Sequence, residues 1–595
     1  MRGGGIGLLT PPRPPPPPLL HTFSLQIHGG LLGVRGNASH EADMAAHGIA
    51  PIDLVVVNLY AFDATVSKGA DFATCIENID IGGPSMLRSA AKNHAAVAVA
   101  SSPSQYEGIL GAMGANGGGT PRALRRALAA AAFSTTAGYD ASISSWFASV
   151  AGSGAESTAV RSYSRDTTLK YGCNPHQSPA WVGHLTGGRA PFTVLNGTPG
   201  YINFLDAANA WQLVRELRAA TGLPAAASFK HVSPAGAAVA VPLSAAELAL
   251  LDVDDASKLT PTAIAYLRAR DADPMCSYGD FSAVSEVVDV ATALILKREV
   301  SDGIVAPGYE PEALAILREK KKGDFIILVA APDYAAPPVE FREVYGMVMA
   351  QRRNDVELSA ATVGNTIVSA RTDLSAASAR DLTVALVTIK YTQSNSVGYA
   401  LGGQMIGVGA GQQSRVDCVK LAGRKVNTWW LRRHPKVLAL PFKADVGRTA
   451  RTNARVRYIE GDMTEVEAAE WALNFESTPA PLTAEEKAAW NATLTDVSLA
   501  SDAFFPFRDS LDHAAKFGVK FVAQPGGSVQ DAAVTKAADD YGMVMGASRR
   551  RGGRHSYLDR EGGPASTHQH HTLTQESHPP PPPRTAHKLP RLFHH

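Results

Sequence analysis

Ala225-Ala226-Ala227-Ser228-Phe229-Lys230-His231-Val232-Ser233-Pro234-Ala235-Gly236-Ala237-Ala238-Val239 decides how the rest of this chain is read. A run of small apolar residues enters an adjacent Lys-His pair and then a Pro-Gly turn. The run predicts a buried strand with an ammonium and an imidazole at its mouth, where a proton could be taken from one reacting atom and given to another. A Lys-His pair held by backbone carbonyls is the plainer alternative, so neighbouring segments must decide.

Outward from that stretch, short apolar strands alternate with helices. Strands are expected at Ile52–Tyr60, Ala95–Ala100, Phe192–Leu195, Gly303–Ala306, Ile326–Val329, Val384–Lys390, Gln404–Gly409 and Phe521–Ala523. Helices are expected at Met86–Lys92, Phe204–Ala220, Ala283–Lys297, Pro311–Lys320, Gln413–Thr428 and Ser510–Phe517. Gly and Pro mark nearly every join. Strand, helix and strand between Ile52 and Ala100 make a βαβ unit, and the class is α/β throughout. Gly152 to Arg165 is Gly/Ser-rich and predicts a linker, and the weaker pattern over Gln351–Ser378 separates two halves.

At 595 residues the chain has room for three or four compact units. Its 56 Lys and Arg nearly cancel 55 Asp and Glu, so nothing global points to nucleic acid or an anionic membrane. No apolar run approaches the ~20 residues that span a bilayer. Cys75, Cys173, Cys276 and Cys418 stand far apart, which argues against a disulfide framework and for a reducing compartment. Residues 1–24 and 546–590 are Pro-rich or low-complexity and cannot bury a core. The clustered histidines His568, His570 and His571 read as solvated coil rather than metal ligands.

Three other segments bear on chemistry. Gly407-Val-Gly-Ala-Gly-Gln-Gln-Ser-Arg415 opens a helix, and its glycines are expected to bring backbone N–H groups to an anion or a planar ring, followed by amide and guanidinium donors. Lys390-Tyr-Thr-Gln-Ser-Asn395-Ser is expected to end a strand in hydrogen-bonding side chains. Ser501-Asp-Ala-Phe-Phe-Pro-Phe-Arg-Asp509 puts three phenylalanines around a proline, one wall of an aromatic slot if buried.

With LKYGCNPHQ (169–177), VLNGTPGYIN (194–203), SYGDF (277–281), EVSDGIVAPGYE (299–310) and terminal RLFHH (591–595), these words closely resemble, in order, the bifunctional purine-biosynthesis enzymes that are AICAR transformylase and IMP cyclohydrolase. The resemblance implies a methylglyoxal-synthase-like N-terminal domain, truncated here, followed by two tandem cytidine-deaminase-like units. The expected divisions are 25–151 for the cyclohydrolase domain, 152–165 for the linker, 166–360 and 361–545 for the transformylase units, 546–590 for an insertion and 591–595 for the family C-terminus.

It implies AICAR and 10-formyltetrahydrofolate as substrates, with a homodimer and the transformylase sites at its interface. His231 would assist deprotonation of the amine, Lys230 would supply charge and a proton, and Asn395 would hold the carboxamide or oxyanion. Lys170, Tyr171 and Arg591 match positions that grip the ribotide phosphate; Gly279, Asp302, Arg415 and Phe504 match positions lining the ribotide. Val416, Asp509, Ser528 and Val529 match folate contacts, with Phe507 a stacking wall. Tyr60, Asp80 and Lys92, with Asn58 beside them, match the ring-closing positions. No His-x-Glu pairs with a Pro-Cys-x-x-Cys, so no catalytic metal is expected.

The family's Ser-Asp-Lys, Ser-Gly-Gly-Thr and Arg-Val-Lys-Thr-Leu-His-Pro segments have no counterpart before Ile27-His-Gly-Gly-Leu-Leu-Gly33, so ring closure is expected to be lost. A cytosolic address is expected, or a plastid one if residues 1–24 are a transit peptide. The competing expectation is an inactive product whose Pro-rich ends recruit partners.

Overall fold

The computed structural model describes residues 25–151, 158–364 and 366–547; Arg591, the histidine cluster and both Pro-rich runs lie outside them. In the N-terminal region, β1 (Leu54–Val56) and β2 (Ala98–Ala100) pair in parallel, Leu54 opposite Ala98. The connecting helix α1 (Gly82–Lys92) buries Gly83, Leu87, Ala90 and Ala91, the spacing of one helical face, and α2 (Arg122–Ala151) packs beyond it. The βαβ unit is therefore present, with strands shorter than the apolar runs suggested.

β3 (Tyr163–Leu169) and β4 (Ala180–Leu185) form a separate antiparallel pair, so the end of the expected linker is already strand. The remaining elements build one sheet of 11 strands. β5 (Phe192–Asn196) lies at its rim. Then come α3 (Tyr201–Thr221), the hairpin β6 (Ala225–Lys230) and β7 (Ser233–Val239), α4 (Pro261–Asp271), and the parallel strands β8 (Asp280–Val284), β9 (Ser301–Ala306) and β10 (Ile326–Ala330). A projecting hairpin, β11 (Val339–Val344) with β12 (Met347–Arg352), interrupts the chain.

The pattern then repeats: α5 (Ala376–Lys390), the hairpin β13 (Ser396–Leu401) and β14 (Gln404–Ala410), α6 (Arg415–Leu431), α7 (Arg448–Glu460), and the parallel strands β15 (Val497–Ser501), β16 (Val519–Gln524) and β17 (Val544–Ala547). In both halves the first parallel strand runs antiparallel to the first hairpin strand. The halves join where Gln404 of β14 stands opposite Ala238 of β7. The two expected units are thus topological repeats sharing one sheet, and the second runs on to Ala547.

Alternation along the strands assigns the layers. Ala225, Ala227 and Phe229 share a core with α3 and α5, while Ala226 and Ala238 pack with α4 on the opposite face and Val397, Tyr399 and Ile406 with α6. Helices therefore cover both faces, and every strand between them is apolar along most of its length.

Several expectations are corrected. Val384–Lys390 belongs to α5, capped by Ser375, which accepts from Ser378 N. A β-branched apolar run buried on all sides looks the same in a strand or an inner helix. Ala283–Lys297 splits into the end of β8 and a helix at Val290–Arg298 that begins where Asp289 caps Thr292 N. Pro234 and Gly236 lie inside β7, and the turn falls earlier, at His231-Val232. Gly407 and Gly409 are strand residues, not a ligand loop. A Cβ on them would stand 2.4 Å from Ala422 O and 2.3 Å from Cys418 O, so glycine lets α6 lie against β14.

Candidate active site

The antiparallel pairings place the C-terminal end of β6, the N-terminal ends of β13, β8 and β9, and the C-terminal ends of β14, β15 and β16 along one edge of the sheet. Most of the expected transformylase residues fall there.

Lys230 ends β6 opposite Ser233, so His231 and Val232 alone make the turn. Both take positive φ, 52° and 66°. Such two-residue turns normally recruit Asn and Gly, and a β-branched residue in that conformation is strained by roughly 1–3 kcal/mol. Asp206 of α3 holds it: its Oδ1 accepts from Val232 N at 2.6 Å, with the carboxylate buried. That burial is the largest influence on Asp206 and pushes its carboxyl up to about 6, against the Val232 hydrogen bond and the nearby His231.

The Lys230 ammonium donates to Tyr278 O. A methyl on Gly279 would come within 3.3 Å of Lys230 Nζ and 3.8 Å of the Asp302 carboxylate. Gly279 has φ 70°, so side chains are excluded by conformation as well as by space. Asp302 pairs with Lys321 at 2.5 Å. Lysine, glycine and aspartate thus stand together, and Lys321 joins them.

The second group gathers where β13 begins. Asn395 Oδ1 accepts from Arg415 Nη2 at 2.8 Å, and its Nδ2 donates to Gln412 O at 3.0 Å and Gln413 O at 3.3 Å. Arg415, buried at the start of α6, also donates to Ser396 O at 3.1 Å and is ion-paired with Asp502. Asp502 accepts from Ser396 N at 2.9 Å and Ser394 Oγ at 2.5 Å. Ser414 caps α6 by accepting from Asp417 N at 3.1 Å. At this helix start the Arg415 guanidinium and the backbone carbonyls of Gln412 and Gln413 brace Asn395 from its two sides.

Of the phenylalanines, Phe505 is core, its N–H bound to Gln524 Oε1 at 2.7 Å, while Phe504 and Phe507 are exposed. Asp509 begins the short helix Asp509–Ala514, and Val416 is half-buried one residue into α6. Ser528 and exposed Val529 sit after β16 on a loop turned by Gly526 and Gly527. Lys170 and Tyr171 follow β3 in the separate sheet, exposed or nearly so, and no hydrogen bond between described residues joins them to Lys230.

In the N-terminal region, Asp80 accepts from Tyr60 N at 3.3 Å and Gly83 N at 2.7 Å, while Tyr139 hydroxyl accepts from Asp80 N at 2.7 Å. Asn58 bonds Tyr106 hydroxyl at 3.0 Å. Asn58, Tyr60 and Asp80 so gather beyond β1. Lys92 is exposed at the far end of α1, about 15 Å along the helix.

Asp206, Lys321 and Asp502 were missed from sequence. Lys321 had a signal in the run Lys320-Lys321-Lys322, and Asp502 stood unremarked inside the quoted Ser501–Asp509 segment; Asp206 had no signal. Among the described residues no group of three or more His, Cys, Asp or Glu stands close enough to hold a metal ion, and no helix is long and apolar enough to cross a membrane.

A layered α/β protein with a strained Lys-His turn at one sheet edge, and braced amide and guanidinium groups along the same edge, has the make-up of an enzyme. The chain belongs to the AICARFT/IMPCHase bienzyme family, whose model matches residues 90–425, with an MGS-like domain matched over 24–85. A bifunctional purine biosynthesis protein PurH of Rhodospirillum rubrum is 37% identical over 537 residues, covering 90% of this chain and 87% of that protein. Proteins of the same name from Jannaschia sp. and Cereibacter sphaeroides are 36% and 35% identical, each also covering 90% of this chain and 87% of their own length.

Proposed function

We propose that this protein acts in IMP biosynthesis, moving the formyl group of 10-formyltetrahydrofolate onto the 5-amino group of AICAR and closing the formylated ribotide to IMP. The observation that carries this is the Lys230-His231 turn, strained and pinned by Asp206 at the sheet edge that also bears Asn395. The amine nitrogen attacks the formyl carbon, His231 takes the amine proton, and Lys230 protonates N10 of the folate as the carbon–nitrogen bond breaks. Asn395, held by Arg415, faces the carboxamide or developing oxyanion. Phe504, Phe507, Asp509, Ser528, Val529 and Val416 form the folate side. Gly279, Asp302, Lys321 and Arg415 form the ribotide side, with Lys170, Tyr171 and Arg591 on the phosphate.

The repeated hairpin followed by three parallel strands supports a cytidine-deaminase-like origin for each half. A homodimer is supported by β11 and β12, whose hairpin exposes Val344, Tyr345, Met347, Val348 and Met349. The four widely spaced cysteines support a reducing compartment, cytosolic or, were residues 1–24 a transit peptide, plastid. The alternative of a partner-binding product gains no support from matches spanning this much of the chain to proteins named for purine biosynthesis.

The purified full chain, given AICAR and formylated folate, is expected to release tetrahydrofolate. K230M and H231A should each lower turnover by about 10²–10⁴-fold; variants running at the wild-type rate would sink the assignment. Conversion of formylated ribotide to IMP, assayed alongside, tests the ring-closing step: turnover supports that half of the proposal, and its absence bears out the loss expected from the missing N-terminal segments.

A further inference from the structure

A cavity of about 50 Å³ is walled in part by Tyr278, and its charged lining is Arg270, Asp271, Glu299, Arg432, Arg448 and Arg455. Its four guanidiniums outnumber its two carboxylates. Arg270 is matched by Asp280 at 2.5 Å, Arg448 by Asp252 and Glu299 at 3.2 Å each, and Arg432 by Asp271 at 2.8 Å. No carboxylate among the described residues pairs with Arg455, although it is 9% exposed. Three buried polar atoms on this lining have no hydrogen-bond partner: Arg455 Nε, Arg432 Nε and Tyr266 hydroxyl.

A buried guanidinium without a counter-charge is costly, and unpaired buried donors add to that cost. Burial is the largest influence holding Arg455 below the usual arginine range; Asp252 opposes it, while Arg432, Arg451 and Arg448 push the same way. The volume suits roughly three to five waters at ~10–15 Å³ each, or one tetrahedral oxyanion. Waters would satisfy the donors but leave the positive charge unmatched, and an oxyanion does both. We propose that this cavity binds a small tetrahedral oxyanion of the inorganic phosphate or sulfate class, held by Arg455, Arg432 and the Tyr266 hydroxyl. The site is separate from the ribotide and folate groups, and Tyr278 is common to its wall and to the Lys230 hydrogen bond.

The test is thermal unfolding of the full chain in a phosphate titration, with ionic strength held constant by sodium chloride. The midpoint should rise saturably by a few degrees in wild type. R455M should bind at least tenfold more weakly, and Y266F about tenfold more weakly, since each removes a donor to a charged group. Should R455M fail to fold, Y266F removes only a hydroxyl and carries the comparison. A wild-type midpoint that moves no more in phosphate than in matched chloride overturns the proposal, as does a folded variant titrating like wild type.

Discussion

Asp206 gives the residue scale its sharpest prediction. Its carboxyl titrates near 3.8 when unperturbed and about 6 in the fold. Between those values the native chain keeps a proton that the unfolded chain has lost. The contribution is fully present below about pH 4 and disappears as pH rises through about 6, a change of about 3 kcal/mol. D206N keeps an oxygen for Val232 N and should flatten that slope, so wild type should gain about 3 kcal/mol on the variant between pH 7.5 and 4, followed by unfolding midpoints. D206A removes the acceptor and leaves Val232 N–H without its partner, so formyl transfer should fall while AICAR binding changes less; a variant with unaltered kcat would show that the turn holds itself. The Lys-His pair was legible because both residues are adjacent in sequence. Asp206, Lys321 and Asp502 were not, because each meets its partner only after distant elements pack. Breaking the buried Arg415–Asp502 pair with R415M should cost about 3–5 kcal/mol, visible as a lowered melting temperature before any kinetic effect is considered.

At the scale of elements, the glycine-rich word before α6 shows how a true motif can be read for the wrong reason. Its family signal was sound, yet Gly407 and Gly409 serve helix-on-strand contact. A methyl placed 2.3 Å from Cys418 O has to move backbone, not a flexible side chain. G409A should therefore destabilise by about 1–3 kcal/mol, and a calorimetric midpoint equal to wild type would contradict that packing account. The strand expected at Val384–Lys390 failed for the complementary reason. Apolar periodicity reports which faces are buried, and a helix enclosed on every side has no polar face to reveal its period. Short buried strands flanked by polar ends were legible, and hairpin partners such as β7 and β13 were lost among small residues that carry little strand propensity.

Across the whole molecule, the two tandem units were expected from the family resemblance and not from internal similarity, because equivalent elements of the two halves share topology without sharing residues. The exposed hairpin β11–β12 offers the clearest molecular prediction. Placing glutamate at Met347 and Met349 should shift the sedimenting species from dimer to monomer without unfolding the chain, and transformylase activity should fall with it; a monomeric wild type would remove the basis for that expectation. Gln404 and Ala238 meet at the sheet margin opposite the chemistry, with Val239 N bound to Gly403 O at 2.8 Å. The ladder between β7 and β14 does not continue toward Lys230 and Asn395. One packed core beneath α3 and α5, with the buried pairs Arg432–Asp271 and Lys390–Glu216, nevertheless clamps the halves across their faces, so weakening either clamp should lower the melting of both halves in a single transition.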